Sequence, residues 1–275
     1  MTVGTIEIED FYPYAFRPRR RYGDGEPPHA RLDELLARDV VEYEKILKSF
    51  IRLSDQFLKI PRDFDHSDPS QPAWINGFFP GLDAIALFGL ISTRQPHLYI
   101  EIGSGNSTKF AKLAKNLKSP LTTIYSIDPS PRAEIDGLCD QVIRQPLEDC
   151  PLTLFDTLGR GDILFFDGSH RIFQNSDVTV LFMDVLPRLK KGVLIHLHDI
   201  FWPFDYPAEW SKRMYSEQYL IGSLLLYSPQ LFEIILPNAY ISWRTNLGDA
   251  FKAIWDAPHL EGIERHGTSF WFAMV

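Results

Sequence analysis

Apolar and polar positions follow two different periods along this chain of 275 residues. Short apolar runs rich in β-branched and aromatic residues predict strands, and apolar positions three or four residues apart predict helices. Helical patterns separate the first five strand candidates, which predicts a parallel α/β sheet with helices on both faces. The strand candidates are 98–102, 122–128, 141–145, 162–166, 192–200, 231–236 and 269–275.

The region before the first strand follows a different pattern. Residues 1–28 are rich in Pro, Arg, Tyr and Phe without a period, which predicts an irregular arm. Residues 31–60 carry an apolar stripe of helical period that predicts a helix ending at Pro61. A linker at 62–81 follows, and its large aromatic residues either pack on the core or form part of a cover over a pocket. These aromatic residues are Trp74, Phe78 and Phe79.

These patterns predict two parts of unequal size. The first is an N-terminal arm and helical extension at 1–75, and the second is a main domain at 76–275. An insert at 241–267 separates the last two strands of the main domain. The length is sufficient for a substantial core in one large domain, with or without an extension.

Composition excludes several classes of function. A net charge of −8 and a pI near 5.5 argue against a nucleic-acid scaffold, although four arginines occur within 17–21. No run reaches the about 18 to 20 apolar residues that span a bilayer. The N-terminus lacks an apolar signal core. The two cysteines give neither a disulfide framework nor a metal spacing. We therefore expect a soluble cytoplasmic protein that binds neither nucleic acid nor membrane.

A glycine turn follows the first strand. Gly103 and Gly105 lie one residue apart between the strand at 98–102 and a helical run at 109–117, which Ser107 and Thr108 can cap. Glycine permits a left-handed backbone and leaves space where a Cβ would meet a ligand. Glu101 precedes the turn, which suits a ligand with a cationic amino group better than one with a pyrophosphate. The alternative is a tight turn without a ligand.

The second strand also ends at an acid. Asp128 follows a strand pattern and is stopped by two prolines. A carboxylate in this position can accept hydrogen bonds from both hydroxyls of a ribose. The alternative is that Asp128 caps a helix or stabilises a turn.

Polar residues follow the fourth and fifth strands as well. Asp167 and His170 come after one apolar strand, and His198 and Asp199 come after the next. The carboxyl ends of parallel strands meet at one edge of a sheet, so these residues should face the same crevice as Glu101 and Asp128. His196 lies within a strand and is expected to be an ordinary core histidine.

The ordered set Glu101-x-Gly-x-Gly, Asp128, Asp167-Gly-Ser-His170 and His198-Asp199 resembles the class I S-adenosylmethionine (SAM) methyltransferases, in a branch with an Asp-Gly-Ser-His element. The resemblance covers about residues 76–236. It implies a Rossmann-like seven-stranded sheet of order 3-2-1-4-5-7-6 with an antiparallel last strand. It also implies SAM as cofactor. The implied cofactor-binding residues are Glu101, Gly103, Gly105, Ser107 and Asp128.

Part of this pattern is shared by metal-dependent sugar O-methyltransferases and cephalosporin-hydroxylase-like proteins. That resemblance implies a divalent metal held by Asp167, Asp199 and the residue before Asp199, with His170 as the base. His198 stands where a glutamate would be expected. Magnesium prefers oxygen ligands, so this departure favours manganese, iron or zinc at least as well. The alternative is that Asp199 only caps a turn.

We therefore expect a SAM-dependent methyltransferase (EC 2.1.1.-) acting on an oxygen of a small-molecule acceptor, with Asp167 and His170 as catalytic residues. One alternative is a SAM-binding, hydroxylase-like or regulatory relative without methyl transfer. Another is an NAD-linked oxidoreductase. Thr108 argues against it, because the dinucleotide fingerprint has its third glycine at this position. The sequence leaves a homo-oligomer open.

Overall fold

Seven strands form one sheet in the computed structural model of the chain, which describes residues 19–275. The strands are β1 (Leu98–Ile102), β2 (Thr123–Ile127), β3 (Gln141–Ile143), β4 (Ile163–Phe166), β5 (Leu194–Leu197), β6 (Phe232–Pro237) and β7 (Phe270–Met274). Their order across the sheet is β3-β2-β1-β4-β5-β7-β6. The first five strands pair in parallel, whereas β7 is antiparallel to both neighbours. The predicted sheet is confirmed in strand order and orientation.

Helices connect the strands and precede the sheet. The α-helices are α1 (Ala30–Ala37), α2 (Val40–Phe50), α3 (Ser54–Phe57), α4 (Gly81–Arg94), α5 (Asn106–Lys118), α6 (Asp177–Val180), α7 (Glu217–Tyr227), α8 (Asn238–Arg244) and α9 (Lys252–Trp255). α4 and α5 pack against each other beside the central strands. α5 begins directly after the glycine turn that follows β1, so its N-terminus faces the carboxyl edge of the sheet.

The predicted helix at 31–60 is wrong as one continuous element. It is divided into α1, α2, a 3₁₀ turn at Ile51–Leu53 and α3. The break falls at Asp39, whose φ of −107° and ψ of 19° lie outside the helical region. The buried positions Leu36 and Tyr43 on either side of the break are two helical turns apart, so the apolar stripe keeps its phase across it. Periodicity therefore gave no sign of the break.

The connections that follow β4 and β5 are only partly α-helical. After β4, α6 continues into a π-helical segment at Leu181–Val185 and a 3₁₀ turn at Leu186–Arg188. After β5, a 3₁₀ segment at Ala208–Arg213 precedes α7.

The N-terminal helices share the core of the sheet. Leu47 and Phe57 are buried in the same apolar cluster as the residues of α4 and β1. Gly89 of α4 is needed for this contact, because a Cβ there would lie 2.5 Å from the Phe50 ring. Among residues 19–275, no helix has the length and apolarity to cross a membrane. Arg17 and the rest of the predicted arm up to residue 18 lie outside the described residues. The boundary predicted at residue 75, the cytoplasmic location and the oligomeric state stay predictions.

Candidate active site

A cavity of about 390 Å³ opens at the carboxyl edge of the central strands. We call it the first cavity. Its wall is formed by the segments that follow β1, β2 and β4, as expected for an open α/β sheet. Predicted site residues that line it are Gly103, Gly105, Ser107, Asp128 and Asp167.

The glycine turn is shaped by two different constraints. Gly103 has a φ of 80°, and a Cβ there would lie 1.8 Å from the carbonyl oxygen of Asp167. A side chain at this position would therefore push β1 and β4 apart. A Cβ on Gly105 would meet no atom within 4 Å, so Gly105 leaves the cavity open on the ligand side. The Gly105 N–H donates to the Thr108 hydroxyl at 3.0 Å, which satisfies a backbone donor at the start of α5.

Asp128 is held rigidly at the cavity wall. Its Oδ2 accepts from the Ser104 N–H at 2.8 Å, and its Oδ1 accepts from the Ser130 N–H at 2.7 Å. These two bonds fix the plane of the carboxylate beyond the end of β2. Each oxygen retains a second lone pair for a ligand hydroxyl.

Glu101 does not line the cavity, although the prediction grouped it with the residues that do. Its side chain is fully buried behind Ser107, whose hydroxyl donates to Oε1 at 2.5 Å. Within residues 19–275, its Oε2 has no hydrogen-bond partner. Burial raises the pKa of Glu101 to about 8, although the Ser107 and Thr108 hydroxyls oppose the shift. The turn therefore covers an acid with one unused acceptor.

The aromatic linker serves both of the roles that the sequence left open. Trp74 and Phe79 are buried in the core. Phe78 is 51% exposed and lines the first cavity, with the Arg132 guanidinium over its ring at 5.2 Å. Glu148, from the loop after β3, lines the same cavity.

Acids and histidines alternate in a buried chain beside the first cavity. His170 lies between two acids, with its Nδ1 2.9 Å from Glu217 Oε2 and its Nε2 3.1 Å from Asp167 Oδ1. His198 also lies between two acids, with its Nδ1 3.6 Å from Asp167 Oδ1 and its Nε2 3.5 Å from Asp83 Oδ2. Asp167 therefore joins the two histidines, and it is the member of the chain that lines the cavity.

The charges of this series of alternating acids and histidines stabilise one another. Burial alone would lower the pKa of His170, but Asp167 and Glu217 hold it well above the ordinary value. Asp199 and Asp167 do the same for the pKa of His198. Burial would raise the pKa of Asp167, but the two histidines hold it well below the ordinary value. The acids around each imidazole therefore favour its protonated form, and the two histidines favour the ionised form of Asp167.

The backbone of this region is strained at two residues of the site. His170 has a φ of 58° and Asp199 has a φ of 55°, in the left-handed region that non-glycine residues seldom occupy. Such conformations cost on the order of 1 kcal/mol or more and concentrate at functional sites. The two side chains lie close together, with His170 Nε2 3.8 Å from Asp199 Oδ2.

Sequence reasoning missed Asp83 and Glu217. Asp83 lies in the first turn of α4, is fully buried, and accepts hydrogen bonds from Asn238 Nδ2 and the Thr268 and Ser269 N–H groups. The sequence could have indicated Asp83, because it is the one charged residue within the otherwise apolar helical stretch 81–92. Glu217 begins α7 and carries no comparable signal. His196 is the core histidine that was expected, with Nε2 bonded to Ser269 Oγ at 2.7 Å.

The predicted metal ligands lie together, but the donor geometry does not fit a metal. Asp167 Oδ1 and Asp199 Oδ1 are each 3.6 Å from His198 Nδ1. Across residues 19–275, no group of three or more His, Cys, Asp and Glu side chains is arranged to hold an ion. Asp167 Oδ1 is instead paired with His170 Nε2 at 3.1 Å and lies 3.6 Å from His198 Nδ1. We therefore derive no step through a metal, and the ligand set Asp167, His198 and Asp199 stays a prediction.

Comparison with known proteins agrees with this architecture. Residues 100–200 match a family model described as a methyltransferase domain. The matched span runs from β1 to the end of β5 and contains the glycine turn, Asp128 and Asp167. The strand order of the whole sheet is the one that the resemblance to class I methyltransferases implied. This is a class I methyltransferase fold. The branch with the Asp-Gly-Ser-His element and the relation to cephalosporin-hydroxylase-like proteins remain predictions.

The individual proteins to which this chain is similar are distant. An uncharacterized protein of Archaeoglobus fulgidus is 29% identical over 131 residues, which are 46% of this chain and 58% of that protein. The chain thus spans less than two thirds of the length of this curated relative. The methyltransferase MycE of the mycinamycin biosynthetic pathway, solved with Mg, SAH and mycinamycin VI, is 22% identical over 49% of this chain and 40% of its own, with a TM-score of 0.34. An O-methyltransferase of Bacillus cereus, solved with SAH, is 14% identical over 90% of this chain and 96% of its own, with a TM-score of 0.42.

Proposed function

We propose that the protein is a SAM-dependent methyltransferase that methylates an oxygen of a small-molecule acceptor. The observation that carries this proposal is the first cavity, in which the Gly103–Gly105 turn and the Asp128 carboxylate, fixed by the Ser104 N–H, lie side by side at the carboxyl edge of the sheet. A nucleoside with an amino acid tail fits these groups. Its ribose hydroxyls need an acceptor such as Asp128, and its tail needs a backbone that it can approach closely, as at the glycine turn.

The residues present suit SAM better than a dinucleotide. Glu101 has a buried carboxylate oxygen without a partner in the described part of the chain, and it could accept from the ammonium group of the cofactor. Asp128 would accept from the ribose hydroxyls. Thr108, in the position of the third glycine of a dinucleotide site, lies inside α5 and is bonded to the Gly105 N–H. This arrangement argues against the NAD-linked alternative.

Bound SAM supplies an electrophilic methyl group on a sulfonium. The acceptor oxygen attacks that carbon in line, the O–CH₃ bond forms, and the electron pair of the broken S–CH₃ bond stays on sulfur. The protein contributes mainly by positioning the two reactants and by receiving the proton of the acceptor hydroxyl.

We assign the proton transfer to the Asp167–His170 pair. Asp167 is the member that faces the cavity, with 23% of its side chain exposed, whereas the His170 side chain is 4% exposed. A hydroxyl hydrogen-bonded to Asp167 would pass its proton into the pair. His170 is the candidate base in its neutral form, which Asp167 and Glu217 disfavour, so turnover through His170 should rise with pH. Glu217 would hold the His170 ring in place through Nδ1.

Calorimetry and turnover together test the proposal. SAM and SAH are expected to bind saturably, and NAD is expected not to bind. Formation of SAH from SAM is then followed in the presence of each member of a panel of phenols and sugars. Binding of NAD without SAM would contradict the proposal. Binding of SAM without turnover on any acceptor would favour the alternative of a relative that does not transfer a methyl group.

A further inference from the structure

The mouth of the first cavity lies between the linker before α4 and the loop after β2. Four of the residues that line the cavity are exposed, whereas the others are partly or fully buried. The exposed ones are Phe78, from the linker, and Pro129, Ser130 and Arg132, from the loop. A ligand that enters the cavity therefore has to pass between these two segments.

Two neighbouring residues of the linker contact opposite sides of the glycine turn. Between ring centroids, Phe79 lies 6.0 Å from Phe165 of β4 and 5.5 Å from His198 after β5. Phe78 instead meets Arg132 after β2, with the guanidinium 5.2 Å from the ring centroid. In the sheet, β1 lies between β2 and β4. The linker therefore spans the carboxyl edge across the position of β1 and its glycine turn.

The two ends of this crossing are held with different strength. Phe79 is buried, and Asn76 Oδ1 accepts from the Phe78 and Phe79 N–H groups at 3.0 and 2.7 Å. Asn76 Nδ2 also donates to the Phe79 carbonyl at 3.0 Å. The Phe78 side chain, in contrast, is 51% exposed, and its partner Arg132 is exposed as well. A cation–π contact at an exposed site is weak, so it can open while the buried anchor stays in place.

We propose that Phe78 and Arg132 form a clasp across the mouth of the first cavity, and that this clasp has to open for the cofactor to enter or leave. In the closed state the Phe78 ring covers the bound cofactor, and burial of its exposed apolar surface favours closure. The inference rests on the proposed function, because it takes the first cavity as the site of SAM and SAH. It adds two residues to those that control cofactor binding.

SAH exchange on the immobilised protein tests the clasp. Surface plasmon resonance gives the association and dissociation rate constants separately. Arg132→Gln removes the charge over the Phe78 ring and keeps a polar side chain at the surface. It should raise both rate constants about two- to fivefold, the effect of losing one exposed cation–π contact. The dissociation constant should therefore change less than either rate constant.

Phe78→Ala removes the cover itself. It should raise both rate constants at least as much as Arg132→Gln does, and the dissociation rate constant more, because the ring also contacts the ligand. Combining the two substitutions should change the rates no further than Phe78→Ala alone, since both residues act through one contact.

Phe64→Ala is the matched control. Phe64 is also exposed and has a cation over its ring, Lys109 Nζ at 4.6 Å from the centroid, but it does not line the first cavity. Its loss should leave both rate constants for SAH unchanged. Thermal melting of each variant checks that the fold is retained, which is expected because the substituted side chains are exposed.

Rate constants that stay at the wild-type values in both clasp variants overturn the inference. A rise in dissociation alone also overturns it, because that result indicates a ligand contact that need not open. An equal rise in the Phe64→Ala control, or additive effects of the two clasp substitutions, does the same. If SAH binds but no acceptor is methylated, the methyl-transfer proposal fails while the rate constants still decide the clasp. If the wild type does not bind SAH, both proposals fail.

Discussion

The substitution Glu101→Gln tests whether the acid behind the glycine turn is neutral in the unliganded protein. The Glu101 side chain is fully buried, and burial raises its pKa from 4.5 to about 8. At about 1.4 kcal/mol per pKa unit, this shift corresponds to about 5 kcal/mol against the ionised form. Glutamine keeps an oxygen acceptor for the Ser107 hydroxyl and cannot ionise, so the substitution isolates the charge.

The sign of the pH dependence follows from the direction of the shift. The folded protein retains a proton on Glu101 that the unfolded chain releases between pH 4.5 and about 8. The free energy of unfolding of the wild type should therefore fall with rising pH across this window, by about 1.4 kcal/mol per pH unit from this group. The variant lacks this contribution. Its stability relative to the wild type should rise by up to about 5 kcal/mol and level off above about pH 8.

Urea unfolding of both proteins at several pH values measures this difference. Subtracting one profile from the other cancels the titration of all groups that the two proteins share. Glu134→Gln, which removes an exposed acid, is the control and should give a flat difference. Parallel profiles of wild type and Glu101→Gln would refute the reasoning, since they would mean that Glu101 has an ordinary pKa in the folded state.

The same substitution examines the cofactor contact. If ionised Glu101 accepts from the ammonium group, SAH should bind the variant about 10- to 100-fold more weakly, as for the loss of a hydrogen bond to a charged group. Binding to the wild type near neutral pH should also release a proton, because the acid must ionise. Calorimetry in two buffers of different ionisation heat detects that proton. Unchanged affinity with no proton release would remove Glu101 from the cofactor site.

Three further outcomes are expected. Asp128→Ala should weaken SAH binding by about 1 to 3 kcal/mol, and calorimetry showing unchanged affinity in the folded variant would contradict the ribose assignment. His170→Asn should lower turnover about 100- to 10,000-fold while SAH affinity is preserved. Asparagine is chosen because it tolerates the left-handed backbone of that position. Turnover within a few-fold of wild type would show that the proton leaves by another route. Turnover should survive excess chelator, because Asp167 is paired with His170 and no group of three or more ligand side chains in residues 19–275 is arranged to hold an ion. Loss of activity that a divalent ion restores would instead support the predicted metal.

The residues of the sheet and of the glycine turn were predictable from local pattern. Strand and helix periods differ, so the order of the seven strands along the chain could be recognised without coordinates. Parallel strands bring their carboxyl ends to one edge, which is why Gly103, Asp128 and Asp167 were expected to face one crevice. Each of these inferences depends on a few neighbouring residues and on one topological rule.

Other features depended on contacts between residues far apart in sequence. Glu217 lies 47 residues after His170, and Asp205 lies 184 residues after the Arg21 backbone that it holds. Sequence pattern indicates which residues are apolar, but not which polar residue is brought against which by the folded chain. The acid–histidine chain, the burial of Glu101 and the contact between Phe78 and Arg132 were therefore decided by tertiary packing, which sets both the partners of a charge and its access to water.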